Sequence, residues 1–484
     1  MMGTDIAPQP RSRLSVGWDL VRMRSALYER VPRDHGVMLS VPVAAIDSIA
    51  VLRLANTAPR FYWRPSRTAA TVVGWDAAAV CTARGADRFA RIKDQAQTVL
   101  SSLASVELNA EDGQLCEPLG ALVEPRLFGG FAFQPGATQH PTWTGFDDAN
   151  MVLARWRYVS AADGRAELAL SLGREELWNE RVCEQWLQRL QHLLAALADL
   201  VSSPGQPGTG GVLQGRIADE PPSPAEWNQQ IQSILDAIQH GQCSKVVLAR
   251  RSQRSFTKPV SLAATLAALQ ARSGSDVTCF AFDFGQGAFV GATPETLISK
   301  VGTQLNSEAL AGSVNSDDLN GDQRLLGSAK DREEHRVVVQ AIVDTLKPLC
   351  SEVSFDAQPQ IRRLRHLLHL WTPIAAQLTA PRHVLDLVSE LHPTPAVGGT
   401  PTPWAVQWIT EHESVPRGWY ASPVGWFNAA GDGAFHVALR SGVLRGNAAF
   451  LYAGSGVVAK SDATAEFAET ELKLASLLDA LRSE

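Results

Sequence analysis

Strand-like and helical stretches follow one another along these 484 residues without clean βαβ alternation. That pattern disfavours a doubly wound parallel sheet and favours a large mixed or antiparallel α+β architecture. In the first half VMLSVPVAAI (37–46), SIAVLRLA (48–55), ATVVGW (70–75) and RLFGGFAF (126–133) read as strands. From about Glu176 to Leu200 the apolar spacing is that of a helix, with no Gly or Pro to break it. SSPGQPGTGG, Ser202 to Gly211, is the one clear linker. Ser223 is placed to cap a helix that begins at Pro224 and stops at Gly241. A strand pair follows within CFAFDFGQGAFVGATPE, then a helix from about Gly327 to Leu346 and a histidine-bearing strand near His369. Strands fill Gly418 to Val458, and a last helix runs from about Ala463 to Leu481.

Composition narrows the function. The net charge of −6 offers neither a basic face for nucleic acid nor a polybasic patch for a membrane. Six cysteines are scattered with no CxxC pair, so no zinc site or disulfide framework is expected, and free thiols suit a reducing cytoplasm. MMGTDIAPQPRSRLSV has no apolar segment behind its arginines and does not read as a signal peptide; no later run reaches membrane-spanning length. A cytoplasmic protein with a disordered start over residues 1–16 is expected.

Several charged residues fit either a solvated surface or a functional site. Lys245 opens the apolar strand of CSKVVLARR, and Lys is almost never fully buried without a partner. In SAKDREEHRVVVQAIV, Lys330, Asp331 and Glu334 share one helix face. In AEFAETELKLASLL, Glu466, Glu469 and Lys473 stand at i, i+3 and i+7 on one stripe. Either stripe alone fits a solvated face whose ion pairs are each worth a few tenths of a kcal/mol. Together they could serve Mg²⁺, which takes one or two carboxylates and completes its shell with waters and substrate oxygens; the substrate would then be anionic. Glu295 follows Pro294 on a turn after an apolar strand and could be a general acid where its surroundings raise its pKa, or a plain surface residue. His366 and His369 in RHLLHLWTPI equally fit core histidines. Gly454 and Gly456 in AGSGVV suggest a glycine turn through which backbone N–H groups meet an anion.

Taken in order, KVVLAR, GATPE, LAGS, KDREEH, HLWTPI, HPTPAVGG, RGWYASPVGW, ALRSG, AGSGVV and EFAETELK resemble the chorismate-utilising enzyme family over residues 245–473. The resemblance implies an α/β (α+β) fold of two large antiparallel sheets packed face to face with helices outside. Residues 17–215 would complete that single fold and residues 216–484 would form the chorismate-binding catalytic core. It implies that Lys245 is the general base on water and Glu295 the general acid that protonates the departing C4 hydroxyl. A lysine base requires a setting that disfavours its ammonium, and an acid at neutral pH requires one that disfavours its carboxylate, so a partly dry pocket is expected around both. Glu334 and Glu469 match magnesium ligands, with Asp331 and Glu466 nearby to hold metal-bound waters. Arg440 and Tyr420 match residues that hold the enolpyruvyl carboxylate, where a guanidinium fork suits a carboxylate. Gly454 and Gly456 would add N–H groups, Lys473 would balance the acids, and His369, not His366, would stand near the substrate ring. Gly312 and Ser313 of LAGS and Ala396 of HPTPAVGG fall at substrate-facing positions.

Within the family, Lys245 argues for water rather than ammonia as nucleophile. Ala396 stands where members that go on to eliminate pyruvate tend to carry threonine. The expected activity is therefore an isochorismate synthase, with Mg²⁺ as cofactor and chorismate as partner, in a monomer. Salicylate synthesis, amination with a glutaminase partner and a non-catalytic ligand-binding role are the alternatives. Isochorismate feeds menaquinone, catechol siderophores and salicylate. Two departures stand out: LAGSVNSDD lacks the usual arginine and carries Asp317 and Asp318, while Ser422 and Ala376 replace usual glycines.

Overall fold

A computed structural model describes residues 20–66, 70–108, 115–116, 124–202, 215–217 and 222–482. The 1–16 segment and, but for Ser202 at a helix end, the expected linker lie outside the described residues. Strands Thr71–Ala83 and Ala149–Ser160 pair antiparallel along their length and belong to two arms of sheet. One arm continues through Arg60–Arg64, Thr278–Asp283, Ala288–Thr293, Ser441–Arg445, Ala448–Val457 and Lys245–Phe256. The other runs through Arg126–Phe131, Pro423–Asn428, Gly433–Val437, Thr296–Val301, Gln304–Asn315 and Leu367–Leu378. All these pairings are antiparallel; Gly36–Val43 with Leu103–Leu108 is a parallel exception. Each arm thus begins with strands from the first half of the chain and continues through strands from the second, and the two expected sheets are joined where Thr71–Ala83 pairs with Ala149–Ser160.

The alternation of side chains across each strand decides what lies between the arms. Phe61 and Trp63 turn to one core while Tyr62 turns to the other; Phe280 and Phe282 oppose Cys279 and Ala281 in the same way. The inner core gathers Phe61, Phe280, Phe282 and Phe289 from one arm and Phe128, Phe131, Phe427 and Phe435 from the other. Phe61 and Phe128 stack across it at 4.6 Å. The outer face of the first arm is covered by helices Leu20–Arg30, Glu180–Ser202, Leu262–Arg272 and Ala463–Leu481. Helix Ala329–Leu346 packs on Gln304–Asn315 and Leu367–Leu378 of the second arm.

Three local expectations need correction. SIAVLRLA is a helix, Ser48–Leu54: Asp47 caps it by accepting from Ile49 N at 3.1 Å, and Ile49, Val51 and Leu52 are buried. A short apolar run does not by itself separate helix from strand, and here the cap decides. AGSGVV is no turn; Gly454 and Gly456 lie inside strand Ala448–Val457, opposite Ala249 and Val247. The expected 176–200 helix is divided into Arg174–Leu177 and Glu180–Ser202.

The chain crosses from one arm to the other at Pro294–Glu295, and crosses back at Ala438–Arg440. The crossings lie side by side, with Val437 N donating to Glu295 O at 3.0 Å and Ala292 N to Arg440 O at 3.3 Å. Fully buried Trp419 lies close by, against Phe146, Phe282 and Phe289, and donates to Asp147 O at 3.0 Å. It ties early and late segments together, so Trp419→Ala is expected to cost about 3–5 kcal/mol. The midpoint of urea unfolding measures this; an unchanged midpoint would contradict the packing.

Candidate active site

Lys245 begins its strand opposite Thr400, which ends the short strand Gly399–Thr400. It is only 3% exposed, and its Nζ donates to Glu334 Oε1 at 2.7 Å. Glu334 is delivered by helix Ala329–Leu346, whose N-terminus is fixed by Ser328 accepting from Asp331 N at 3.1 Å. Val338, Ile342 and Leu346 continue that same helix face and are buried, which turns Asp331 and Glu334 inward. Gly456 makes room for the pair: a Cβ there would lie 2.9 Å from Lys245 Cε and 3.0 Å from Glu334 Oε1. This close approach is what the structure shows for Gly456.

Glu295 is buried at the first crossing. Burial, followed by the Glu308 carboxylate, pushes its carboxyl up to about 8. At neutral pH it therefore carries its proton and can donate it.

Helix Ala463–Leu481 brings in the second acidic stripe. Glu469 accepts from Lys473 Nζ at 2.6 Å and from Ser313 Oγ at 2.8 Å. Against the burial that would raise it, these two partners hold its carboxyl down at about 2. Glu466 accepts from Ser455 and lies 3.8 Å from Lys330 Nζ. Lys473 also donates to Gly454 O at 2.8 Å, so Gly454 offers a carbonyl here.

At the second crossing Arg440 adopts φ 50°, and Ala421, next to Tyr420, adopts φ 60°. Such backbone costs of order 1–3 kcal/mol and clusters at functional sites. Arg440 Nη2 donates to His369 Nε2 at 3.1 Å, because His369 Nδ1 must carry its hydrogen to meet Gly312 O at 3.0 Å. Burial and the Arg440 charge lower His369 to about 3, so it is neutral. Burial raises the Tyr420 phenol to about 12, and its ring stacks on Tyr452 at 5.3 Å.

One cavity of about 300 Å³ gathers all of these groups. Lys245, Glu295, Gly312, Ser313, Asp331, Glu334, His369, Ala396, Tyr420, Arg440, Gly454, Gly456, Glu466, Glu469 and Lys473 all line it. His366 does not; it lies 3.4 Å from Asp479. Asp317 and Asp318 also stay out of the wall, and Asp318 pairs with Arg324 at 2.8 Å. Buried Ser422 donates to backbone carbonyls.

Sequence reasoning passed over Arg417, although it opens RGWYASPVGW. Arg417 bonds Glu413 at 2.5 Å, Val397 O at 2.7 Å and Val247 O at 2.7 Å, tying the Lys245 strand to the Ala396 segment. Lys330, recognised only as a neighbour of the acids, also faces the cavity.

Among the described residues no three carboxylate, imidazole or thiol groups converge as a ready metal site. The donors nevertheless suit a hard cation. Burial raises Asp331 and Glu466, and neighbouring carboxylates add to both shifts. Oxygen donors whose negative charge is made costly by burial and by one another are what Mg²⁺ answers, and two carboxylates are enough for it.

A match to the family described as chorismate binding enzyme runs over residues 23–482. The chain belongs to that family. This family member is 33% identical over 431 residues to the salicylate biosynthesis isochorismate synthase of Pseudomonas aeruginosa, across 87% of this chain and 85% of that one. It is 30% identical over 472 residues to the isochorismate synthase MenF of Bacillus subtilis, across 95% and 96%. The structure of MenF, the menaquinone-specific isochorismate synthase of Escherichia coli, superposes with TM-score 0.72 at 27% identity, covering 96% and 99%. Anthranilate synthase component I of Streptococcus pneumoniae, at 18% identity and TM-score 0.65 over 86% and 93%, shares the fold.

Gly456→Ala should displace the Lys245–Glu334 pair and lower turnover by about 10²-fold or more, while thermal unfolding stays near that of the unaltered protein. A fully active Gly456→Ala protein would show that the close approach is unnecessary.

Proposed function

We propose that this protein is an isochorismate synthase: in the presence of Mg²⁺, water adds at C2 of chorismate as the C4 hydroxyl leaves. The observation that carries the reading is the pairing of Glu295, protonated at neutral pH, with the buried amine of Lys245 on the wall of one cavity. The reaction needs one group to give a proton and another to take one. In the proposed step Lys245, freed from Glu334 and with its ammonium proton lost to solvent, takes a proton from water as a neutral amine while the oxygen bonds to C2. The ring double bonds shift and the C4–O bond breaks. Glu295 gives its proton to that oxygen, which leaves as water, so one water enters and one departs.

Arg440 and Tyr420 would hold the enolpyruvyl carboxylate, and neutral His369 would orient the Arg440 guanidinium against it. Glu334 and Glu469 would hold Mg²⁺, with Asp331 and Glu466 binding its waters and Lys473 balancing their charge. The cation would neutralise the ring carboxylate among these acids. The small Ala396 leaves the reading at isochorismate without loss of pyruvate. The kinship to isochorismate synthases over nearly the full length supports it. We place the enzyme, as a monomer, in the cytoplasm; among the described residues no helix is long and apolar enough to cross a membrane.

Chorismate and Mg²⁺ with purified protein should yield isochorismate in an equilibrium mixture, with no pyruvate and no requirement for ammonia, as read by liquid chromatography and mass spectrometry. Salicylate with pyruvate, or a need for glutamine and a partner, would replace the reading by a lyase or an aminating enzyme. No turnover at all would favour a binding protein. Lys245→Ala should lower kcat by at least about 10²-fold while magnesium and chorismate still bind. Glu469→Gln should raise the magnesium concentration needed for half-maximal rate, and unchanged dependence would remove Glu469 from the metal site.

The proton on Glu295 also sets a pH limit. A carboxyl raised to about 8 is protonated below that pH and ionised above it. kcat/KM should therefore fall as pH rises through about 8; a profile level through that pH would exclude Glu295 as the acid.

A further inference from the structure

Behind Glu295, away from the cavity, lies a buried ion pair that the reaction above does not use. Arg362 Nη2 donates to Glu308 Oε2 at 2.8 Å, with 5% and 9% of the two residues exposed. A pair of this kind is weak evidence for a stabilising role, because an apolar pair of similar volume often serves as well or better. What distinguishes this one is its grip on the chain. Arg362 Nη1 donates to Pro294 O at 2.7 Å, and Glu308 Oε1 accepts from Thr296 N at 2.7 Å. The two residues hold the peptide groups before and after Glu295. Trp371 locks them in turn: its Nε1 donates to Glu308 at 2.7 Å, and the Arg362 guanidinium lies 4.3 Å from its ring centroid.

We propose that Glu308 and Arg362 are positioning residues for Glu295, clamping the sheet crossing that carries it through the peptide groups on either side. The inference rests on the reading of Glu295 as the general acid. The clamp fixes the crossing at both flanking peptides, so the side chain is presented from a rigid base. The charge acts in addition. After burial, Glu308 is the largest influence raising the Glu295 carboxyl, and Arg362 is the smallest of the three cations opposing it, after Arg440 and Lys245. Glu308 stays ionised: against its own burial, Arg362, Thr296 N and Trp371 hold it below the usual range. Two further groups face this corner, the Tyr420 phenol and the imidazole of His436, which burial keeps neutral at about 4.

The test is the pH profile of kcat and KM for the holoenzyme and its Glu295→Gln, Glu308→Gln and Glu308→Asp variants. Glu308→Gln removes the raising charge and leaves Arg362 beside Glu295, so the alkaline limb should move down by about one pH unit. kcat at neutral pH should fall about tenfold with KM within about twofold. Glu308→Asp, which keeps the charge, should restore the limb. A lower kcat with the limb unmoved would reduce the pair to scaffolding and overturn the proposal. Where Glu308→Gln alone fails to fold, the Glu308→Gln/Arg362→Met double variant leaves no unpaired buried charge. Because Glu308 outweighs Arg362 at Glu295, its limb should still move down, and an unmoved limb there is equally fatal. Glu295→Gln separates the two readings. If it turns over normally, Glu295 is not the acid and both readings fall; if it is inactive while the limb of Glu308→Gln stays put, only the clamp falls.

Discussion

Taking a charged group out of water costs several kcal/mol unless the group is paired or gives up its charge. The cavity contains one example of each outcome. Lys245 is paired with Glu334, whereas Glu295 keeps a proton that an exposed glutamate would lose. Everything else in the wall follows from holding both states together. Helix Ala329–Leu346 must deliver a carboxylate to the lysine, the neighbouring strand must carry glycine at 456 to let the two meet, and Glu308 must remain ionised behind Glu295. An acid and an amine separated in this way can move protons in opposite directions within one step.

The sheet supplies the geometry. Glu295 and Arg440 lie where the chain passes between the two arms, and the passages are joined by backbone hydrogen bonds. At a crossing a side chain leaves the ladder while its backbone is still held at both ends by the flanking strands. The aromatic core beneath, drawn from both arms, keeps the crossings in register. The positive φ of Arg440 is tolerated because its neighbours over-determine it. Early strands such as Arg60–Arg64 and Arg126–Phe131 line no part of the cavity; they pair with Thr278–Asp283 and Pro423–Asn428, which extend the arms behind it.

What could be read from sequence divides along physical lines. Helix ends were accessible because their signals are local: Ser223 accepts from Glu226 N at 3.3 Å and Pro224 takes the first position, as the residue order implied. The charge stripes at 330–334 and 466–473 were equally accessible, since helical spacing alone puts them on one face. SIAVLRLA and AGSGVV were misread because a short apolar run and a pair of glycines each fit more than one local state, and here the Asp47 cap and strand pairing settled them. Arg417, Glu308 and Arg362 were missed for another reason. Contacts that give them their roles lie far along the chain, Glu308 and Arg362 being 54 residues apart and Arg417 and Val247 170, and no local pattern announces a contact of that kind.

The account depends most directly on the protonation of one carboxyl. Infrared difference spectra between the unaltered protein and its Glu295→Gln variant would observe it across neutral and alkaline pH. The account predicts a protonated carboxyl C=O band at pH 7 that is missing from the variant and gives way to carboxylate bands near pH 8. Carboxylate bands from Glu295 already present at pH 7, with no protonated signal to lose, would contradict it.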